Sequence, residues 1–143
     1  MATINPYLNL PGTTEEAFNF YKSVFGGEFL AVIRFKDSPG GSENVAEADK
    51  DKLTHIALPI GKNILMATDS IGEMGMGYKQ GNNYHVSINA DSKEEAETIF
   101  AALSAGGQVI VPLAMAEWGD LFGWFTDKFG ISWMVSYSPN RPQ

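Results

Sequence analysis

Trp118-Gly119-Asp120-Leu121-Phe122-Gly123-Trp124-Phe125-Thr126-Asp127-Lys128-Phe129-Gly130-Ile131-Ser132-Trp133-Met134 consists of two short runs rich in large apolar residues, broken by Asp127-Lys128-Phe129-Gly130. The break supplies turn-forming residues and a glycine where a positive φ is needed, so the stretch reads as a β-hairpin. Its aromatic load is high. One strand face must therefore be buried or line a pocket, and the rest of the chain has to supply the opposite wall.

Working outward, the chain reads as one unit written twice. Ile4 to Leu10 alternates, with Ile4, Leu8 and Leu10 on one face and Asn5, Tyr7 and Asn9 on the other, a strand. Pro11-Gly12 leads into Thr13-Thr14-Glu15-Glu16, a capping box in which Glu16 is expected to reach back to the Thr13 amide. Ala17, Phe18, Tyr21, Val24 and Phe25 form a helical stripe that stops at Gly26-Gly27. Glu28 to Phe35 has strand character. Asp37 to Lys52 reads as an exposed loop, with the acidic run Glu43 to Asp51 as a solvated face. Thr54 to Ile60 and Asn63 to Thr68 then form two strands joined at Gly61-Lys62.

From Ile71 to Asn83 the composition turns to Gly, Met and polar residues, a flexible connector. After it the order restarts. Tyr84, Val86, Ile88 and Ala90 alternate with His85, Ser87 and Asn89, and Ser92-Lys93-Glu94-Glu95 is a second capping box. Ala96, Ile99, Phe100 and Leu103 make the second helical stripe, which ends at Gly106-Gly107. Val109 to Met115 is a strand, and the opening hairpin completes the set. Asn5 stands as far before His85 as Asn9 before Asn89. Glu15-Glu16-Ala17 matches Glu94-Glu95-Ala96, and Gly26-Gly27 matches Gly106-Gly107. The expected organisation is a single domain over 1–143, with a βαβββ module at 1–70, a connector at 71–83, a second βαβββ module at 84–138 and a tail at 139–143. Each module alone has too small a core, so two must pack, within one chain or across a dimer.

Composition excludes several classes. A chain of 143 residues is a natural single-domain length, and with 44% hydrophobic and 19% charged residues it should fold. Ten basic against 17 acidic residues, without a basic cluster, remove the driving force for nucleic-acid binding. No cysteine is present, so disulfides, thiolate nucleophiles and Cys-ligated zinc are absent. The chain shows no leader pattern at its start and no apolar run approaching the ~18 residues of a membrane helix, so a cytoplasmic protein is expected.

The paired unit resembles the vicinal oxygen chelate superfamily, which includes glyoxalase I and bleomycin-resistance proteins, and within it the PhnB-like branch. The resemblance rests on Asn5-Pro6-Tyr7-Leu8, on Glu16-Ala17-Phe18-Asn19-Phe20-Tyr21 with Phe25-Gly26-Gly27, and on His55-Ile56-Ala57-Leu58 with Leu65-Met66-Ala67-Thr68-Asp69. The segment from Trp118-Gly119-Asp120 to Trp133-Met134 extends it over essentially the whole chain. It implies an α+β fold of two βαβββ modules whose curved sheets form a cup, and a homodimer. It also implies that metal positions, where a member has them, fall on Asn5, Met66, His85 and Met134. Of these only His85 is a usual divalent-metal ligand; two thioethers and an amide do not make a hard oxygen-chelating centre, so no metal cofactor is expected.

The expected function is that of a PhnB-like protein of unassigned activity, holding a small, largely apolar molecule in the cup. Asn5, Tyr7, Met66, His85, Ser87 and Met134 are expected on the concave side, with Trp118 near the rim. His85 is read as a polar pocket-lining group and His55 as a structural hydrogen-bonding one. Of Trp118, Phe122, Trp124 and Trp133, which could stack on a flat ligand, at least half are expected in the core. Asp69, Asp120 and Asp127 at strand ends read as turn formers. The alternatives are a metal-dependent lyase, isomerase or dioxygenase of the glyoxalase type, and a dimeric scaffold without ligand.

Overall fold

The computed structural model describes residues 2–38 and 45–139. The chain divides into two compact units, Met1–Lys79 and Gln80–Gln143, and the division lies inside the Gly/Met-rich stretch 71–83. Among the described residues, the strands form two four-stranded sheets, one in each unit.

The first unit runs β1 (Tyr7–Leu10), α1 (Thr14–Phe25), β2 (Ala31–Arg34), β3 (Leu53–Ile60) and β4 (Asn63–Asp69). Its sheet has the order β1-β4-β3-β2, with β1 parallel to β4 and the other pairs antiparallel. A short helical turn, α2 (Gly72–Gly75), follows. The second unit repeats the plan with β5 (Val86–Asn89), α3 (Lys93–Ser104), β6 (Gln108–Met115), β7 (Leu121–Thr126) and β8 (Ser132–Tyr137). Its order is β5-β8-β7-β6, again with the first pair parallel. The duplicated βαβββ plan expected from the sequence is therefore present.

Period-2 alternation separates the helix-covered face of each sheet from the open one. In the first unit Leu8, Leu10, Ile56, Leu58, Leu65 and Ala67 point to one side and are buried, together with Ala17, Phe18 and Tyr21 of α1. In the second, Leu121, Phe125, Trp133 and Val135 are buried with Ala96, Phe100 and Leu103 of α3, and the Phe100 and Phe125 rings meet edge to face at 5.0 Å. Burying each of these larger side chains contributes about 1.5–3 kcal/mol, so the helix-covered faces carry the stability of each unit.

Four expectations need correction. Ile4 lies ahead of β1 and is 89% exposed, so the apolar face of that strand begins at Leu8. β2 is shorter than Glu28 to Phe35, because Phe35 turns into a 3₁₀ segment, Phe35–Asp37, and is buried there. The loop expected over Asp37 to Lys52 carries another such segment, Glu47–Asp49, while the start of the acidic run, at Glu43, lies outside the described residues. The first capping box does not form: Thr13 has φ −111° and ψ 13° and makes no side-chain cap bond. Instead the Thr14 amide donates to Asp69 Oδ1 of β4 at 3.0 Å, a charge-assisted bond at the positive end of the helix. The second box does form in part. Ser92 Oγ accepts from the Glu95 amide at 3.0 Å, while Glu95 Oε1 takes the Asp91 amide rather than that of Ser92.

The hairpin that opened the sequence reading is β7–β8. The Asp127 amide donates to Ile131 O, the Gly130 amide donates to Asp127 O, and Gly130 has φ +88° as the turn requires.

Candidate functional site

Each helix covers one face of its sheet, and the other face holds the polar and aromatic residues singled out in the sequence. Strand register defines the open face row by row. In the first unit one row reads Tyr7, Met66, Ala57, Ala31 across β1, β4, β3 and β2. In the second the corresponding row reads Ser87, Met134, Trp124, Val111 across β5, β8, β7 and β6. The equivalence of Met66 and Met134 thus holds in the register. The next row pairs Asn9 with Thr68 in one unit, and Asn89 with Ser136 and Phe122 in the other.

The first open face is polar at its β1 edge. The Tyr7 hydroxyl and His55 Nδ1 share a hydrogen bond at 3.3 Å, with ring centroids 5.9 Å apart. His55 is thereby tied to a neighbour, as expected of a structural histidine. Partial burial raises the Tyr7 phenol above its ordinary pKa, which keeps it protonated as a donor or acceptor at neutral pH. Ser70 Oγ donates to Asn9 Oδ1 at 3.2 Å. Asn5 is occupied with the backbone: its Oδ1 accepts from the Ile64 amide at 2.9 Å and from Asn63 Nδ2 at 3.4 Å, tying the segment before β1 to the start of β4.

The second open face is aromatic. His85, just ahead of β5, lies 5.5 Å from the Trp124 ring. Trp124 lies 5.6 Å from Phe122, and Phe122 lies 5.3 Å from Trp118 in the β6–β7 turn. The four rings form a continuous row. His85, Ser87 and Trp118 are exposed, whereas Phe122, Trp124 and Met134 are half-buried. Trp133, in contrast, is fully buried, and its Nε1 donates to Asp127 Oδ2 at 2.8 Å. Ser136 Oγ donates to Asn89 Oδ1 at 2.9 Å, as Ser70 Oγ does to Asn9 in the first unit.

Structure therefore brings Tyr7 and Met66 together on one open face, and Ser87 and Met134 on the other, with His85 and Trp118 at the two ends of the aromatic row. Phe122 and Trp124 join them. They were legible in the alternation Leu121, Gly123, Phe125 against Phe122, Trp124, once the buried side of that strand was assigned. Asp69 and Asp127 are structural, each collecting backbone amides. Among the described residues no group of three or more His, Cys, Asp or Glu side chains is placed to hold a metal ion, and no helix is long and apolar enough to cross a membrane.

Comparison with known proteins points in one direction. The model of the family described as 3-demethylubiquinone-9 3-methyltransferase matches residues 2–136. Protein YjdN of Escherichia coli (strain K12) is 25% identical over 97% of this chain and 97% of its own. Among solved structures, protein PA1353 from Pseudomonas aeruginosa is 40% identical, with a TM-score of 0.84, covering 96% of this chain and 98% of that one. The PhnB protein from Bacillus cereus is 25% identical, with a TM-score of 0.77 over 96% and 100%. A glyoxalase/bleomycin resistance protein/dioxygenase family enzyme from Burkholderia phytofirmans PsJN, 17% identical with a TM-score of 0.60 over 92% and 95%, shares the fold.

Proposed function

The chain belongs to the PhnB-like family described as 3-demethylubiquinone-9 3-methyltransferase, built on the glyoxalase/bleomycin-resistance fold, and from that premise we propose that it binds a small, largely apolar molecule on its open sheet faces. The observation that carries this reading is the composition of those faces. Methionine and aromatic rings make the surface, and a few polar groups (Tyr7, Ser87, His85, Asn89) punctuate it. Ligand pockets have that character.

Two other chemistries fit the residues less well. A divalent metal at the superfamily's positions would be held by Asn5, Met66, His85 and Met134. Two of these are soft thioethers, and the Asn5 carbonyl already accepts two hydrogen bonds. The donor set does not fit a hard cation. Methyl transfer, which the family description names, calls for a methyl donor. Nucleoside cofactors favour a parallel sheet with a glycine-rich strand-to-helix turn, whereas each sheet here has a single parallel pair. In the β1–α1 turn Gly12 O is occupied by Lys52 Nζ at 2.8 Å. We therefore read the protein as a binder without a metal cofactor, acting as a homodimer.

The test is a thermal-shift panel of small apolar molecules on protein purified without chelator and analysed for metals. A ligand present at a hundred times its Kd stabilises by about 2.7 kcal/mol, which raises the melting midpoint by roughly 5–10 °C. Stoichiometric Ni, Zn, Fe or Mn would replace this reading with that of a metal-dependent lyase, isomerase or dioxygenase. No shift across the panel would leave a ligand-free scaffold.

A further inference from the structure

We propose that the open face of β5, β8 and β7 is a site for a flat aromatic molecule of two fused rings carrying a hydrogen-bond acceptor, such as an aryl carbonyl, on one edge. The inference rests on the small-molecule reading above and names its ligand class.

Three strands give the site a floor and two unlike sides. Met134 of β8 is the floor, lying between Ser87 of β5 and Trp124 of β7 in one row. A polarisable thioether packs well against aromatic rings. On the β7 side, Trp124 and Phe122 form a wall that Trp118 extends, while His85, just ahead of β5, meets Trp124 from the other side, all at spacings of 5.3–5.6 Å. Phe122 is tilted by 30° to Trp118 and 37° to Trp124, so the three rings pack side by side as one aromatic surface. Such a surface offers offset stacking to another π-system and only contact area to a saturated one.

The β5 side is polar and oriented. Ser136 Oγ donates to Asn89 Oδ1, which orients the amide with its oxygen toward Ser136 and leaves the Nδ2 hydrogens to reach a ligand. Asn89 is exposed, and its donor calls for an acceptor. Neighbouring strands lie about 4.8 Å apart, so β5 and β7 are separated by about 10 Å. A ring stacked on the β7 wall fills part of that width, and an acceptor substituent directed toward β5 meets the Asn89 amide.

The duplication supplies an internal comparison. In the first unit the position of Trp124 is held by Ala57, beside Met66, and Asn9 Oδ1 likewise accepts from a serine, Ser70, two positions beyond Thr68, the register equivalent of Ser136. The oriented amide is thus common to both units, while the ring at this position belongs to the second alone. Stacking is assigned to the second open face for that reason.

Isothermal titration of the full chain with three probes tests the assignment: 2-acetylnaphthalene, naphthalene and decahydronaphthalene. The first should bind most tightly and the last at least tenfold more weakly than naphthalene. Trp124→Leu should weaken both aromatic probes alike, by about tenfold. Asn89→Asp should erase the preference for 2-acetylnaphthalene over naphthalene, worth about fivefold. Trp118→Leu, at a residue 66% exposed and outside the strands, guards against misfolding of the Trp124 variant and should cost about threefold. Equal binding of naphthalene and decahydronaphthalene, or no effect of either tryptophan substitution, overturns the stacking site but not the small-molecule reading. If none of the three probes binds a protein that responds elsewhere in the thermal-shift panel, the stacking site is likewise overturned. Silence across the whole panel removes the reading beneath it.

Discussion

Asp127 and Asp69 look alike in the sequence, each an acid at the end of a strand, and turn chemistry is a sufficient reading of both. Their work in the fold is larger. Asp127 Oδ1 accepts the Phe129 and Ile131 amides at 2.8 and 3.0 Å, and Oδ2 accepts the buried Trp133 indole. One carboxylate therefore holds the hairpin turn and the largest core side chain together. Asp127→Ala should cost about 3 kcal/mol in urea unfolding, because buried donors are left without partners. A loss below about 1 kcal/mol would mean that water takes the carboxylate's place. Glu15 behaves differently. Its carboxyl is held below the ordinary range, first by its hydrogen bond with Arg34, whose guanidinium pKa is raised in turn. A lowered folded-state value means that the contribution is present above the unfolded pKa of about 4.3 and is lost as pH falls through the folded value. The pair is partly exposed, so its worth is at most about 0.5–1 kcal/mol. Glu15→Gln should be less stable than the parent by that much at pH 7 and equally stable at pH 2. A gap that widens in acid would reverse the assignment.

At the scale of elements, alternation explains why strands β3, β4 and β7 were legible and why the site was only partly so. A period-2 pattern tells the two faces apart but does not say which face the helix takes. Gly123, on the helix-covered face of β7, is instead set by its neighbour strand. A Cβ there would lie 2.7 Å from Val111 O and 2.8 Å from Leu113 Cα, where β6 shifts register on both sides of Val111. The bulged strand presses on β7 at the glycine. Gly123→Ala should therefore destabilise the protein by about 2 kcal/mol or more, since backbone and not a flexible side chain must move. Thermal unfolding checks this, and a midpoint within a degree of the parent would show that β6 can yield. The capping boxes mark the limit of local reading. Ser92 caps α3 as its sequence implies, whereas α1 is capped by Asp69, far away in the chain, and no local pattern contains that partner.

For the molecule as a whole, the repeated helix signals and matched spacings made the duplication readable, because each half obeys the same local rules. Assembly is a different matter, since it depends on surfaces that local rules leave free. Strand β6 is an edge strand, Gln108 to Met115, without a single charged residue, and Val109, Ile110 and Met115 stand exposed on it. Exposed apolar edges invite pairing with another chain, and proteins ordinarily guard them with lysine, proline or cover; Pro112 is the guard present in β6. At the equivalent place in the first unit, Leu30, Val32 and Ile33 are exposed on and beside edge strand β2. A second copy of the chain is the simplest cover for such surfaces, in keeping with the homodimer proposed above. Sedimentation equilibrium at micromolar concentration should then return twice the chain mass. Ile110→Lys, which places a charge on an already exposed position, should shift the equilibrium to monomer while leaving the far-UV circular dichroism of the parent. A parent protein that sediments as a monomer would remove the dimer, and a lysine variant that stays dimeric would move the interface away from β6.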